Sequence, residues 1–238
     1  MEPLIDFDKA TPAIRFAEDL KPVLYQPDEL RENFPAYYMY RDCAASEEDR
    51  ERIRELGLRY DYTVIPPATI GDEYIKTYGH YHPVHVKISY PELYQVIKGE
   101  VVFILQKTGE REDELHDFVF VRAREGDLIL VPPGYGHVMV NTGDDVLMTS
   151  NWVCRDFQSV YEPYARLRGA GYYLTKRGWV ENRNYRRLPE VREARSGAGK
   201  IFRVDGEMYS LIEDPEILEL LVNPEEYEDV FRKALEVI

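Results

Sequence analysis

His80 and His82 flank a single tyrosine, so on an extended chain both imidazoles project to one side. His137 comes directly after the turn Pro132-Pro133-Gly134-Tyr135-Gly136, at the start of another apolar run. All five histidines of the chain fall between Gly79 and Asn141, among short strand-like runs separated by Gly/Pro turns. Ring nitrogens brought from two short elements far apart in sequence, on neighbouring strands, make a donor set for a metal ion. Of the other two histidines, His116 sits in an acidic loop beside Glu114 and Asp117 and reads as solvent-exposed, while His85 stands close enough to His82 to compete for a place at the site.

The elements around these residues read as strands. Apolar or alternating runs lie near 74–78, 80–88, 92–97, 100–106, 117–122, 127–131, 136–141 and 145–153. VVFIL and LILV are apolar on both faces and so pass through a core, and no helix-length pattern interrupts them. That excludes a parallel βαβ sheet and points to an antiparallel barrel, closed or double-sheeted. Upstream, residues 1–33 form a Pro-punctuated arm, Tyr37–Tyr40 reads as an edge strand, and Ser46 caps a short helix that Gly57 ends. Residues 59–65 read as a strand leading into the turn at Pro66 and Pro67. Downstream, 201–204 and 207–212 resemble a hairpin. Two helices follow, 215–222 and 224–237, the second capped by Asn223 with Tyr227, Phe231 and Leu235 on one stripe. The division expected is an arm with a short helix over 1–58, a barrel carrying the metal site over 59–165, and a C-terminal extension over 166–238.

Composition bounds the function. A chain of 238 residues buries a sizeable core without help from disulfides, and Cys43 and Cys154 form neither a framework nor a CxxC pair. The N-terminal residues have no basic flank and apolar core, and no run approaches 18 apolar residues; a soluble cytoplasmic protein with no membrane partner is expected. The net charge of −14 argues against a nucleic-acid partner, and the basic residues between Arg177 and Arg203 read as a surface segment or interface arm. The 19 tyrosines exceed what a plain core requires and suggest a polar cavity or a subunit contact.

Two motifs carry a family resemblance. Gly126, five residues, Pro132-Pro133-Gly134, two residues, His137, three residues and Asn141 resembles the second motif of the cupin superfamily, and His80, His82, Glu92, six residues and Gly99 resembles the first. The phrases TYGHYH and PELYQVIKGE are similar to those of archaeal-type, metal-dependent glucose-6-phosphate isomerases. The resemblance spans roughly residues 35 to 160 and implies an all-β cupin fold, a double-stranded β-helix or jelly-roll barrel with peripheral helices and N- and C-terminal extensions. It also implies one divalent ion per subunit, Fe, Mn, Ni or Zn, on His80, His82, Glu92 and His137, with coordination positions left open. One departure stands out: nine residues separate His82 from Glu92 and include His85, so the fourth ligand is either Glu92 or His85.

By the same resemblance Glu92 is the base of an aldose–ketose isomerisation and Tyr94 a polar contact to the substrate or to Glu92. Tyr37, Thr63, Thr77 and Gly79 are then donors to the substrate phosphate, with Lys87 an alternative anion contact. Plain alternation from Gly79 to His80 sets Thr77 and Gly79 opposite His80 unless the chain bends. No histidine follows His137; Tyr161 or water is left to assist ring opening. The expectation is interconversion of glucose 6-phosphate and fructose 6-phosphate, a small sugar phosphate as the ligand, and a homodimer paired through sheet edges. Two alternatives belong to other classes: another metal-dependent enzyme on the same barrel, such as an Fe(II) oxygenase or a different sugar-phosphate isomerase or epimerase, and a non-catalytic binding module.

Overall fold

A computed structural model describes residues 1–238. Its N-terminal part comprises β1 (Ala13–Phe16), β2 (Pro35–Tyr40), α1 (Glu47–Glu55), β3 (Leu58–Ile65), β4 (Thr69–Ile70) and β5 (Glu73–Tyr74). The central part contains β6 (Glu92–Lys98), β7 (Glu100–Thr108), β8 (Leu115–Arg124), β9 (Leu128–Val131), β10 (Tyr135–Val140) and β11 (Leu147–Cys154). After it come α2 (Glu162–Arg166), β12 (Tyr172–Thr175), β13 (Gly178–Glu181), β14 (Arg192–Ser196), α3 (Ala198–Ile201), α4 (Glu228–Phe231) and β15 (Leu235–Val237). Short 3₁₀ turns fill the intervals, among them Met208–Glu213, Pro215–Leu221 and Pro224–Tyr227.

The strands assemble into three sheets, in the orders β1-β2-β3-β11-β6-β9, β10-β7-β8-β14-β15 and β13-β12-β5-β4. None closes on itself, so the expected all-β jelly-roll barrel is corrected to a mixed fold of open sheets with short helices. The physical reason lies at the junctions. β9 ladders only to β6 and β10 only to β7, and the chain passes between them through Pro132–Gly134 without a ladder joining the two sheets. His80 and His137 exchange two backbone hydrogen bonds, His80 N–H to His137 O at 3.3 Å and the reverse at 3.0 Å, but this remains an isolated bridge. The strand expected over 80–88 is therefore absent, replaced by single bridges around Pro83 and a bent loop.

Both faces of the six-stranded sheet are covered. Tyr94 and Val96 of β6 face the five-stranded sheet, where Tyr94 meets Phe103 edge-on at 5.1 Å between centroids. Leu93, Ile97 and Trp152 point the other way, into a second core closed by Phe202, Met208, Leu218 and Leu221 of the C-terminal segment. Trp152 Nε1 donates to the Met208 carbonyl at 3.0 Å. Thus β6 is buried on both faces, as its apolar run requires.

Ser46 caps α1 as read, its hydroxyl accepting from Asp49 N at 3.1 Å, and Gly57 takes φ +69 beyond the helix end. Five other expectations change. Tyr37–Tyr40 lies inside β2, flanked by β1 and β3 rather than at an edge. The hairpin expected over 201–212 is the end of α3 and a 3₁₀ turn. The helix over 215–222 is a 3₁₀ turn, and the one over 224–237 breaks into a 3₁₀ turn, one turn of α4 and β15, which pairs with β14. Asn223 makes no side-chain cap.

The N-terminal arm is anchored by a buried ion pair. Lys76 contacts Glu73 and also donates to the Val23 carbonyl at 2.7 Å, while Glu73 Oε2 accepts from Tyr25 N at 2.8 Å. Replacing Lys76 with Met strands a carboxylate that is 1% exposed and is expected to cost about 3–5 kcal/mol in urea unfolding; the E73L/K76M pair should cost far less.

Candidate metal centre and active site

The site forms where the two large sheets face one another. Glu92 opens β6 and pairs with Val153 of β11, His137 lies on β10, and His80 is locked to His137 by its two backbone hydrogen bonds. His82 follows two residues on. One ligand atom from each of His80, His82, Glu92 and His137 lies within 4.8 Å of every other, and all but His80 are buried outright. His80 Nε2 is 3.2 Å from His82 Nε2, and Glu92 Oε2 is 3.2 Å from the Nε2 atoms of both His82 and His137.

Several contacts orient these groups. His82 Nδ1 lies 2.9 Å from the Tyr90 carbonyl, which can only accept, so the proton sits on Nδ1 and the Nε2 lone pair points into the cluster. Asn151 Nδ2 donates to Glu92 Oε1 at 2.8 Å, leaving Oε2 turned inward. The Tyr94 hydroxyl is 3.1 Å from His137 Nε2. Burial holds the His80 and His137 imidazoles below their ordinary pKa, His80 strongly so. For Glu92 burial works upward, but positive charge carried at the facing His137 and His82 imidazoles outweighs it and holds the carboxyl well below its ordinary range. Burial, reinforced by the Glu92 charge, pushes the Tyr94 phenol well up.

A cluster of lone pairs around an ionised carboxylate fits a cation. Glu92 Oε2 and His137 Nδ1 are buried without a hydrogen-bond partner; Oε2 is close to two imidazoles, yet in no hydrogen-bond geometry. Bonds of about 2.1 Å meeting at about 90–110° separate neighbouring donors by roughly 3.0–3.4 Å, which brackets the 3.2 Å spacings found. These residues can therefore hold a divalent metal. His85 stands apart, its Nδ1 2.8 Å from Glu225 Oε2 at an exposed loop tip where Val86 N and Lys87 N also bind Glu225. His116 is exposed.

Tyr37, Thr63, Thr77, Gly79 and Tyr94 line the same cavity as the cluster. Gly79 takes φ +88, and this left-handed residue breaks the alternation, so that Thr77, Gly79 and His80 share one cavity. A Cβ at Gly79 would stand 2.6 Å from Tyr164, which makes the bend glycine-specific. The hydroxyls of Thr77 and Tyr37 accept from Met139 N at 3.0 Å and Tyr78 N at 3.3 Å, which leaves their own protons free to donate. Lys87 is exposed and does not line the cavity.

Two residues around the cavity, Asn151 and Asp61, escaped the sequence reading. Asn151 belongs to the fully buried polar triplet Thr149-Ser150-Asn151, an anomaly visible in the strand LMTSNWVC. Asp61, the one acidic residue of β3, is 0% exposed and holds two cavity arginines: Arg41 Nη1 at 2.6 Å and Arg59 Nε at 2.9 Å. Phe157 packs on His82 at 4.5 Å and Tyr161 on His80 at 5.3 Å between centroids, forming an aromatic cover. Under it the cavity encloses about 60 Å³, room for roughly two waters. A roomier cleft of about 830 Å³ around Arg122, Arg195 and Arg203 contains no histidine, so the chemistry belongs to the smaller space.

Residues 14–190 match the model of the family "Glucose-6-phosphate isomerase (GPI)". The glucose-6-phosphate isomerase of Thermococcus litoralis is 34% identical over 106 residues, 44% of this chain and 49% of that protein. That of Thermococcus gammatolerans is 34% identical over 116 residues, 49% and 53% respectively. The chain thus spans about half the length of the curated relatives it matches. Oxalate decarboxylase from Bacillus subtilis aligns at a TM-score of 0.37 and 17% identity over 52% of this chain and 27% of its own, too little to support any argument.

Metal binding should register as stability. With free Mn, Ni or Zn about 100-fold above its Kd, the EDTA-treated chain should gain about 2.7 kcal/mol, a rise in Tm of roughly 5–10 °C. H137A should show no such response; an equal rise in that variant would place the ion elsewhere. The family match covers most of the chain and both cupin-type motifs: this protein belongs to the glucose-6-phosphate isomerase family of the archaeal, cupin type.

Proposed function

We propose that the chain interconverts glucose 6-phosphate and fructose 6-phosphate, using one divalent ion per subunit, Fe, Mn, Ni or Zn. One observation carries the reading. A His₃–Glu cluster and a set of unspent donors, Tyr37, Thr63, Thr77 and the Gly79 backbone, face one cavity in a chain of this family. The cluster suits the sugar's C1–C2 end and the donors suit a phosphate.

The isomerisation takes a proton from C2 and returns one to C1 while negative charge develops on O1 and O2. The bound ion supplies Lewis acidity toward those oxygens. Glu92, ionised and oriented by Asn151, accepts the C2 proton to give an enediol and delivers it to C1. Tyr94, kept protonated, can donate its hydroxyl hydrogen bond to a sugar oxygen in place of His137. Tyr161 stands over His80, where it can contact the ring oxygen during opening.

The closed cavity sets a condition on entry. Ligand pockets begin at about 300 Å³, so the lining must open further before a hexose phosphate is seated. The small space favours one second reading, a metal enzyme acting on a smaller substrate, and turnover of the hexose phosphate separates the two. We also infer a homodimer, for which the outer edge of β1, with Ile14 and Phe16 exposed, offers a surface.

E92Q should lower isomerase turnover by about 100-fold or more with KM within a few-fold and most of the metal retained. Turnover at the parent rate would remove Glu92 from the proton path. Y94F should retain turnover within roughly 10-fold, since it removes one hydrogen bond and no proton carrier.

A further inference from the structure

On a strand at a sheet edge the apolar residues are expected inward and the charged ones outward. β1 does the reverse. Ile14 and Phe16 are 41% and 40% exposed, while Arg15 between them turns in toward the body of the protein. There it stands opposite Tyr37 in the β1–β2 register. Its guanidinium carbon lies 5.6 Å from the Tyr78 ring and 5.9 Å from the Tyr161 ring, both of which line the cavity. Arg41 and Arg59 are committed to Asp61; Arg15 has no carboxylate partner and contacts only the neighbouring Tyr37 hydroxyl and the two rings, so most of its N–H donors are available.

The hydroxyls beside it lack a counter-charge of their own. Tyr37, Thr63 and Thr77 offer neutral donors, whereas a phosphate dianion favours at least one cation held in a fixed orientation. Cation–π contacts with Tyr78 and Tyr161 hold the guanidinium at this margin of the cavity, and pairing with β2 fixes its backbone. We propose that Arg15 is the cationic, specificity-determining residue for the substrate's phosphate, acting with Tyr37 and Thr77 and reaching over the cavity from the N-terminal arm. This rests on the isomerase reading for the identity of the sugar, but the anion site itself is defined by Arg15 and its neighbours. Since Tyr161 also packs on His80 at 5.3 Å, the same residue links phosphate binding to the cover above the metal cluster.

The test uses inorganic phosphate as the probe, titrated calorimetrically into the metal-loaded chain and into R15M and R15K, with circular dichroism and Tm confirming the fold. R15Q serves as a second variant if R15M does not fold. R15M or R15Q should weaken phosphate binding by about 10-fold or more, and R15K should recover part of the loss. In the isomerase assay, KM for glucose 6-phosphate should rise by a similar factor while kcat stays within a few-fold. Unchanged phosphate affinity in the neutral variants would overturn the proposal, as would a fall in kcat with phosphate affinity intact. A chain that loses phosphate on R15M yet isomerises no hexose phosphate upholds the anion site and refutes the isomerase reading.

Discussion

Three imidazole lone pairs and one ionised carboxylate oxygen converge on a space shielded from water, and the site depends on that arrangement. Brought together with nothing between them, such groups repel, and water cannot screen them. The surrounding contacts nevertheless turn them inward: the Tyr90 carbonyl orients His82, Asn151 orients Glu92, and the reciprocal backbone bonds between His80 and His137 fix the distance between two chain segments. A divalent cation converts this repulsion into binding.

The fold serves this constraint by supplying the ligands from different layers. Glu92 comes from the six-stranded sheet, His137 from the five-stranded sheet, and His80 and His82 from the connection between β5 and β6. Burial of the six-stranded sheet on both faces, against its partner sheet within and the C-terminal segment without, makes β6 a rigid support for Glu92 and Tyr94. Charge is handled locally as well. Asp61 gathers Arg41 and Arg59 beside Glu92, whereas Arg15 at the other margin is left uncommitted.

Much of this was legible in the residues. The spacing of His80 and His82, the Pro-Gly turn before His137 and the apolar runs from β6 to β11 located the cluster and its strands. Closure was not legible, because alternation records which faces are buried and not whether a sheet's edges meet; the jelly-roll expectation failed there. The C-terminal stripe of Tyr227, Phe231 and Leu235 has helical spacing, yet tertiary pairing with β14 drew Leu235–Val237 into a strand. The bend at Gly79 stood only as a condition in the residues, since only backbone geometry reveals that φ +88 reunites Thr77 with His80. Asn151 and Arg15 each carried a signal, a polar triplet in a buried strand and a cation between two apolar residues, but neither acquires meaning until its neighbours are known.

The central claim is that this His₃–Glu cluster holds the ion on which sugar-phosphate isomerisation depends. Its most direct test is a coupled glucose 6-phosphate to fructose 6-phosphate assay on the same protein before demetallation, after demetallation verified by elemental analysis, and after return of a divalent ion. The account predicts turnover that disappears with the metal and returns with it. Turnover that persists unchanged in verified metal-free protein would contradict it.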